Sequence, residues 1–327
     1  MPAIRRRPRM YGAVGFLVYL LVGFTTSDLQ PLELRAADLV HCPVTGEPDT
    51  APGSPQGFTV LQGNAWMLPA RARLLRSAFS IDRRERVERL VETVLACRPT
   101  VVMLQEIFET TMVRRLAEQL PEYRVIVSEA SDITGTFNAS GLVTLSRLPV
   151  AERTFRDFGP LPAGSSTIEA LARKGFLAVR IDTPEFSGTL LNLHLYASRD
   201  EGEVSITERQ LGEVVRWVED RVGHADDELL LVGDFNLPEA RLRDLLPAGW
   251  RISRHGPTFE PQRNPYTVQG SNDTREKHRE RQLGVVRTID FLVTPPGSPS
   301  RVRSEVLDTL LLSDHHFLHH TLVSADG

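Results

Sequence analysis

The sequence predicts an α/β protein in which two mixed β-sheets pack face to face, with helices on the outside. Apolar runs of strand length alternate with amphipathic helices, and several runs follow one another as hairpins instead of uniform βαβ units. Six short polar segments also follow the ends of six apolar runs. Polar groups at the end of a buried strand cost desolvation unless they are paired or functional. The pattern therefore predicts an active site at one edge of the sheets.

Composition indicates a soluble globular protein with a substantial core. The chain has 327 residues, of which 41% are hydrophobic and 24% are charged. The net charge of −4 argues against a protein that coats nucleic acid. Since no repeat or second region of different composition appears, we expect residues 57–327 to form one domain.

The amino-terminal residues 1–27 indicate export. Four arginines precede an apolar stretch, 11–24, which small residues follow, and this order is typical of a secretory signal. The stretch is short for a bilayer span, so we expect a cleaved signal peptide, with a membrane anchor through residues 10–26 as the alternative. Either way, we expect a secreted or extracytoplasmic protein. Proline and glycine predict an irregular lead-in over residues 28–56.

Export also permits a disulfide between the two cysteines of the chain, Cys42 and Cys97. Cys42 precedes the first predicted strand, and Cys97 ends the helix that returns from that strand. Both should therefore lie at the end of the protein opposite the active site. A disulfide and two unpaired thiols remain open alternatives.

Apolar periodicity predicts the elements in chain order. In the first half we expect strands at 58–64, 100–104, 123–127 and 141–145, and helices at 82–98 and 110–120. In the second half we expect strands at 176–181, 189–193, 228–232, 289–293 and 317–323, a turn at 184–188 and a helix at 203–222. The arginine-rich segment 254–288 predicts a loop over the site.

Two strand ends carry candidate metal ligands. Glu106 follows the apolar run Val-Val-Met-Leu, and Asn64 ends the first strand. Hard oxygen ligands suit Mg²⁺, with Mn²⁺ or another divalent ion as alternatives, and one or two carboxylates plus water suffice. Taken alone, Glu106 is equally compatible with a solvated carboxylate at a strand end.

Two further strand ends carry candidate catalytic groups. Gly233 permits a tight exit from the most apolar strand, after which Asp234 and Asn236 point the same way. Asp234 offers a base or an acceptor that orients a histidine, and Asn236 offers an amide donor for phosphate oxygens. His194 and Asn192 lie at another strand exit, where His194 is a candidate for steadying phosphoryl oxygens and, alternatively, a structural histidine.

Near the carboxyl terminus, Asp314 stands beside His315. Histidine is the natural base near neutral pH, and an adjacent carboxylate raises its basicity and fixes its tautomer. His316, His319 and His320 are interpreted as outward positions of the last strand.

In this order, the polar segments resemble those of the endonuclease/exonuclease/phosphatase superfamily, over residues 57 to about 323. The resemblance implies a four-layered α/β sandwich and metal-dependent hydrolysis of phosphate esters. It also implies a role for each matching residue. Glu106 and Asn64 would hold magnesium. His315 would be the general base held by Asp314, Asp234 and Asn236 would bind the transition state and orient water, His194 would face the phosphate, and Asp290 would support a histidine from behind.

Other features resemble the neutral sphingomyelinase branch of that superfamily. They are Asn64-x-Trp66-x-Leu68-Pro69, Arg83-Arg84-x-Arg86, Gly141-Leu142, Lys174-Gly175-Phe176 and Asn264-Pro265-Tyr266-Thr267. Lys174 is one of two lysines in a chain otherwise rich in arginine, and a compact ammonium suits a phosphate contact. Asn192 is assigned to phosphate binding with it.

We therefore expect an exported, magnesium-dependent phosphodiesterase of sphingomyelinase C type, which releases a phospholipid headgroup by water attack on phosphorus. A phospholipid or other phosphodiester substrate, contact with a membrane surface and a monomeric state go with this expectation. A secreted endonuclease is the first alternative, in which Arg275, Arg279, Arg281 and Arg287 contact a nucleic-acid backbone. A non-catalytic surface-binding protein on the same scaffold is the second.

Overall fold

The computed structural model describes residues 57–67, 83–128, 138–162, 172–198, 201–221, 228–260, 286–309 and 312–324. The predictions of a signal peptide or anchor, of the lead-in and of Cys42 fall outside these residues, as do the motifs at 68–69 and 264–267 and three of the four loop arginines. Within the described ranges, no helix combines the length and apolarity needed to cross a bilayer.

Helices and strands alternate along the described chain. The helices are α1 (Arg83–Cys97), α2 (Thr110–Gln119), α3 (Glu201–Glu219) and α4 (Glu239–Leu245). The strands of the first half are β1 (Thr59–Met67), β2 (Val101–Ile107), β3 (Arg124–Val127), β4 (Val143–Ser146) and β5 (Val150–Asp157). Those of the second half are β6 (Gly175–Thr183), β7 (Phe186–His194), β8 (Glu228–Asp234), β9 (Arg251–Ile252), β10 (Asp290–Thr294), β11 (Ser300–Leu307) and β12 (Phe317–Ser324).

The strands form two six-stranded sheets, with orders β11-β12-β1-β2-β4-β3 and β5-β6-β7-β8-β10-β9. Each sheet is mixed, because β1 pairs with β2 and β7 with β8 in parallel, while the neighbouring pairs are antiparallel. The prediction of two mixed sheets with helices outside is confirmed.

The alternation of side chains along each strand separates the core into layers. In β8, Leu230 and Val232 pack between the two sheets, whereas Leu229 and Leu231 pack outward beneath α3 and α4. The first sheet is arranged in the same way, with its outer face covered by α1 and α2. Each buried leucine or valine contributes about 2 kcal/mol, which makes these faces the main source of stability.

Polar side chains also cross between the sheets. Asn192 of β7 is fully buried, and its amide donates to the carbonyl oxygens of Leu104 (3.1 Å) and Val143 (3.0 Å) in the opposite sheet. Its side-chain oxygen accepts a 2.7 Å hydrogen bond from Gln105. The assignment of Asn192 to phosphate binding is therefore wrong, because its amide joins the two sheets.

A second polar crossing involves the last strand. Gln62 of β1 donates to the carbonyl oxygen of Gly233 in the other sheet at 2.8 Å and contacts His320 at 3.0 Å. The other ring nitrogen of His320 lies 2.7 Å from the Ser304 hydroxyl. His320 is fully buried, and His316 and His319 are nearly so. The interpretation of these histidines as outward positions is thus wrong.

The elements that sequence reasoning missed lie mainly at sheet edges. Among the described strands, β5 and β11 each pair with one neighbour only, and both carry charged side chains at positions where a central strand would be apolar. The hairpin between β6 and β7 turns at residues 184–185, which is shorter than the predicted 184–188, so Gly188 pairs with Ile181 inside the strands. Cys97, at the end of α1, is not a free thiol, but the pairing with Cys42 stays a prediction.

The Asn192 crossing predicts a large stability effect from one amide. Asn192→Ala removes the side-chain hydrogen bonds to two buried carbonyl oxygens and to the Gln105 amide, and we expect a loss of about 3 kcal/mol in the free energy of unfolding. Urea denaturation measures it. Thr189→Ala on the same strand, at a half-buried position, is the control. A loss at Asn192 no larger than that of the control would show that the crossing does not stabilise the fold.

Candidate active site

The candidate site forms where strands from both sheets end together. Asn64 in β1 and Gln105 in β2 are paired in register, so Glu106 follows beside Asn64. In the other sheet, His194 at the end of β7 pairs with Asp234 at the end of β8. Asp290 begins the antiparallel strand β10, directly opposite Asp234. These groups are therefore brought to one edge by strand register.

The backbone at these strand ends adopts a conformation that few residues tolerate. Among the described residues, positive φ angles at non-glycine positions occur at Trp66 (49°), Arg98 (46°), Glu106 (60°) and Asn236 (50°). Three of these four belong to the site. Left-handed backbone costs energy in residues other than glycine, and it concentrates where function demands it.

Gly233 allows the two strands that carry His194 and Asp234 to approach closely. Its φ is +155°, and a Cβ atom at this position would lie 1.9 Å from the carbonyl oxygen of Leu193. No other amino acid fits without separating β7 from β8. Gly233 is therefore required because the backbone of Leu193 lies directly against it, next to the site.

Glu106 and Asn64 form the pair that was predicted to hold a metal. The Asn64 amide nitrogen donates to Glu106 Oε1 at 3.0 Å and to Asp234 Oδ2 at 3.1 Å. The Asn64 oxygen accepts from the backbone N–H of Trp66 at 2.9 Å, which fixes the amide orientation. In this arrangement Asn64 holds two carboxylates in place, and one lone pair of its oxygen remains for a ligand.

The Glu106 carboxylate suits a bound cation. Its Oε2 atom is buried and has no hydrogen-bond partner among the described residues. Burial raises the pKa of Glu106 above its ordinary value, against the lowering effects of the Asn64 hydrogen bond and of Lys174. A divalent ion at Oε2 would offset this desolvation, so the residues present fit a metal.

A second group of potential ligands lies next to it. Ligand atoms of Asp234, Asp290 and His315 all lie within 4.8 Å of one another, and all three residues are buried. Asp290 Oδ1 also lacks a hydrogen-bond partner in the described part of the chain. The site thus offers oxygen ligands on both sides of Asp234.

His315 is held by Asp290. His315 Nδ1 lies 2.8 Å from Asp290 Oδ2, whereas the side-chain hydrogen bond of Asp314 is to the Ser313 hydroxyl, at 3.4 Å. The implied assignment of Asp314 as the group that holds His315 is wrong, because Asp290 makes that contact directly. Burial lowers the pKa of His315, but the charge and hydrogen bond of Asp290 outweigh it and, with Asp234 and Asp314, raise the pKa to about 10.

Asp234 connects the metal side of the site with the histidine side. Its Oδ2 lies 4.0 Å from His315 Nε2 and 3.7 Å from His194 Nε2, and its Oδ1 accepts from the backbone N–H of Asn236 at 2.9 Å. Burial and the nearby Asp290 charge raise the pKa of Asp234 to about 7. The Asn236 side chain donates to the Leu195 carbonyl oxygen at 3.0 Å and so helps to fix this turn.

Lys174 and His194 form a contact pair. The Lys174 ammonium lies 3.0 Å from His194 Nε2 and donates to the Leu195 carbonyl oxygen at 2.9 Å. Burial, together with the charges of Lys174 and His315, holds the pKa of His194 well below its ordinary value. His194 is therefore neutral, while Lys174 places a positive charge beside Glu106 and Asp234.

Sequence reasoning missed the residues that support the site from behind. Phe259 packs its ring 4.9 Å from that of His315, and the Thr258 hydroxyl accepts from the backbone N–H of Asp290 at 3.3 Å. Gly141 and Arg86 were noted only as markers of the sphingomyelinase branch, without a structural role. Gly141 lies against Glu106 and Phe108. Arg86 falls on the apolar face of α1, next to the buried Val87 and Leu90, and this position was the signal for its role.

The described parts of the predicted loop lie against the site. Phe259 pairs by backbone with both Arg287 and His315, and the backbone N–H of Glu260 donates to the Asp314 carbonyl oxygen at 3.2 Å. Residues 261–285 lie outside the described chain, so the rest of that loop stays a prediction.

Fold and site define a metal-dependent phosphodiester hydrolase. The family model of the Endonuclease/Exonuclease/phosphatase family matches residues 61–315, and the chain belongs to this family. The resemblance drawn from the motifs is therefore confirmed at the family level. No curated protein sequence matches the chain.

Solved structures with the same fold include lipid and DNA enzymes. Two structures of beta toxin from Staphylococcus aureus, one with bound magnesium ions, match at 16% identity with TM-scores of 0.64 and 0.61, covering 81% and 80% of this chain and 99% and 98% of theirs. Sphingomyelinase C from Streptomyces griseocarneus matches at 17% identity and a TM-score of 0.61, and the match covers 80% of this chain and 98% of that enzyme. D. rerio TDP2 complexed with single strand DNA product matches at 17% identity and a TM-score of 0.59. The match covers 82% of this chain and 99% of that protein.

The packing of Gly141 predicts that a methyl group there disturbs the metal side. Gly141 has a φ of +68°, and an added Cβ would lie 2.8 Å from the Phe108 ring and 3.2 Å from Glu106 Cα. We expect Gly141→Ala to lower divalent-metal affinity about tenfold, as for loss of groups that orient ligands. Calorimetric titration with Mg²⁺ measures it.

Gly159→Ala is the matched control for Gly141→Ala. Gly159 shares the left-handed backbone, with a φ of +75°, but an added Cβ would meet no atom within 4 Å. Gly159→Ala should lose only the stability that left-handed backbone costs, whereas Gly141→Ala should lose more, and only Gly141→Ala should lose metal affinity. Equal affinities in the two variants would contradict the role assigned to Gly141.

The raised pKa of His315 predicts a pH dependence of stability. In metal-free protein, a histidine whose folded pKa lies above its unfolded value of 6.5 stabilises fully below that value and ceases to do so as pH rises through about 10. Asp290→Asn removes the charge that raises the pKa, so the decline in unfolding free energy between about pH 7 and 10 should shrink. Urea denaturation across this range measures it, with the exposed Asp182→Asn as control. If the unfolding free energy declines equally with pH in Asp290→Asn and Asp182→Asn, Asp290 does not raise the pKa of His315.

Proposed function

We propose that the protein is an exported, Mg²⁺-dependent phosphodiesterase of sphingomyelinase C type, which hydrolyses the headgroup ester of a phospholipid. The observation that carries the chemistry is the juxtaposition of two groups at one site, where strands from both sheets end. One is the Glu106 carboxylate with its unpartnered oxygen, and the other is the His315–Asp290 pair. Their link is Asp234, which lies close to His315 and is bonded through Asn64 to Glu106.

The metal would be held by Glu106 and Asn64, as the sequence suggested. When bound, Mg²⁺ supplies Lewis-acid stabilisation for the charge that develops on the phosphoryl oxygens. Support for magnesium comes from the oxygen ligands of the site and from the beta toxin structure that contains magnesium ions. Since Asp234, Asp290 and His315 also form a potential ligand group, the number of ions is an open part of the proposal.

His315 is the general base in this mechanism and acts in its neutral form, because a bound divalent cation would offset the carboxylate charges that raise its pKa in the metal-free protein. Its Nδ1 is bonded to Asp290, which leaves Nε2, directed toward Asp234, to take a proton from water. Asp234 and Asn236 orient that water. The water oxygen attacks phosphorus, the ester P–O bond breaks, and the leaving oxygen takes a proton from solvent to become an alcohol. The Asp290 carboxylate stabilises the imidazolium that results.

Lys174 and His194 are assigned to the phosphate. The Lys174 ammonium is buried within the site. Its fixed positive charge there would stabilise a phosphodiester anion more strongly than water does. His194 stays neutral under the influence of burial and of Lys174, so it is suited to hydrogen bonding and not to proton transfer at neutral pH. Asp314 acts through its charge, which adds to the field at His315.

Two substrate classes follow from the structural neighbours. Beta toxin and sphingomyelinase C support a phospholipid, and the TDP2 complex with a DNA product supports a secreted nuclease as the second candidate. The net charge of −4 favours the lipid, because a protein that follows a nucleic-acid backbone is usually basic. Export, a Cys42–Cys97 disulfide, contact with a membrane surface and a monomeric state belong to the same proposal.

A direct comparison of substrates tests the proposal. Protein lacking residues 1–27 should release phosphocholine from sphingomyelin vesicles in the presence of Mg²⁺, and EDTA should abolish the reaction until Mg²⁺ is restored. His315→Ala should lower kcat about 10³-fold, because the base that takes the water proton is lost. Headgroup release and oligonucleotide cleavage are measured with the same preparations.

His319→Ala is the control for His315→Ala, because His319 is also buried but is not part of the site. Cleavage of DNA without release of phosphocholine would replace the lipid proposal with the nuclease. Binding to vesicles without hydrolysis of either substrate, across several divalent ions, would favour the non-catalytic surface-binding protein.

A further inference from the structure

Two segments far apart in sequence must stay in contact for the site to form. The first is the end of β1, which carries Asn64, and the second is the segment Ser313–His315 before β12. The Ser313 hydroxyl donates to the Asn64 carbonyl oxygen at 2.6 Å, and this contact joins them directly. The metal side and the base side of the pocket are thus connected behind the catalytic groups.

Arg86 of α1 joins the same two segments from a third element. Its Nε donates to the Leu312 carbonyl oxygen at 2.5 Å, immediately before Ser313. Its Nη1 and Nη2 donate to the carbonyl oxygens of Trp66, at 3.1 Å, and Ala65, at 2.5 Å, immediately after Asn64. One planar guanidinium therefore contacts the backbone on both sides of the junction.

The position of Arg86 is costly for a residue with only a structural role. The side chain is fully buried, on the face of α1 that carries Val87 and Leu90. Transfer of a charged group into such surroundings is strongly unfavourable unless its hydrogen bonds are satisfied. An apolar side chain at this position of α1 would be buried without this cost. The hydrogen bonds to the backbone carbonyl oxygens of residues 65, 66 and 312 are therefore the feature that requires arginine.

One of those contacts also holds a strained residue. Trp66 has a φ of 49°, which turns its carbonyl oxygen toward Arg86, and the guanidinium lies 5.2 Å from the centroid of its ring. The same Trp66 donates its backbone N–H to the Asn64 side chain. Arg86 therefore stabilises the turn that orients the Asn64 amide toward Glu106.

We propose that Arg86 is a positioning residue of the active site, which fixes the Asn64–Glu106 pair at a set distance from His315. The proposal rests on the phosphodiesterase function proposed for this site. Arg86 touches neither substrate nor metal and acts through the backbone of residues 65–66 and 312. Lysine retains the charge but cannot direct three N–H groups in one plane, so it should not replace arginine.

Arg86→Lys and Arg89→Lys form a matched pair of variants. Both arginines are buried on α1, but Arg89 bonds to Glu85 of the same helix at 2.9 Å. We expect Arg86→Lys to lower kcat about 10²-fold, the cost of roughly 1 Å of misplacement, with KM within about threefold of the wild-type value. Arg89→Lys should leave both constants unchanged within about twofold. Equal kcat values for the two variants, both folded, would overturn the proposal.

Ser313→Ala gives a second test that does not bury a lysine. It removes the direct contact with Asn64, and its effect on kcat should be coupled to that of Arg86→Lys in a double-mutant cycle. Additive effects would show that the two contacts do not act on one junction. If Arg86→Lys does not fold, Ser313→Ala alone should lower kcat while KM is unchanged, and a wild-type kcat would overturn the proposal.

A crystal structure of each variant tests the positioning role of Arg86 independently of the proposed phosphodiesterase function. Arg86→Lys, or Ser313→Ala where the lysine variant does not fold, should displace Asn64 from Asp234, and Arg89→Lys should not. Wild-type protein that cleaves no phosphodiester would defeat the proposed function, while the displacement would still decide the role of Arg86. An undisplaced Asn64 in Arg86→Lys would refute that role even in an active enzyme.

Discussion

Three carboxylates at one site, two of them buried and that of Glu106 partly buried, are the constraint on which the rest of the site depends. Glu106, Asp234 and Asp290 lie too close together to be charged without compensation. In the metal-free protein the described chain supplies two cations there, Lys174 and the protonated His315, together with the amide of Asn64. A divalent ion would complete this balance and so would account for so much charge held away from water.

The scaffold meets this constraint by holding its two sheets in a fixed relation. Apolar packing between sheets is non-directional and would tolerate small slips. The polar crossings of Asn192 and Gln62 do not, because each amide matches particular carbonyl oxygens of the opposite sheet. Both crossings lie within two residues of the strand ends that carry His194 and Asn64. They therefore fix the positions of these strand ends relative to each other.

Sequence reasoning predicted the central strands and the outer helices well, because their apolar periodicity is strong. It also predicted which residues gather at the site, since strand ends in register must meet. It failed where a residue type suggests two roles. Asn192 and His320 are polar residues that serve as cross-links, and Asp290 and Asp314 differ only in which one reaches His315. Such distinctions depend on side-chain direction, which periodicity does not encode.

The pairing of β1 with β12 has a consequence for how the protein folds. Thr59 lies opposite Thr321, so a strand at one end of the described chain is completed by a strand at the other. Such a contact closes a very long loop and is expected late in folding. A chain that is interrupted before residue 317 retains every described helix and β2, but lacks β12, the second neighbour of β1. The ordered site should therefore form only after β12 has been synthesised.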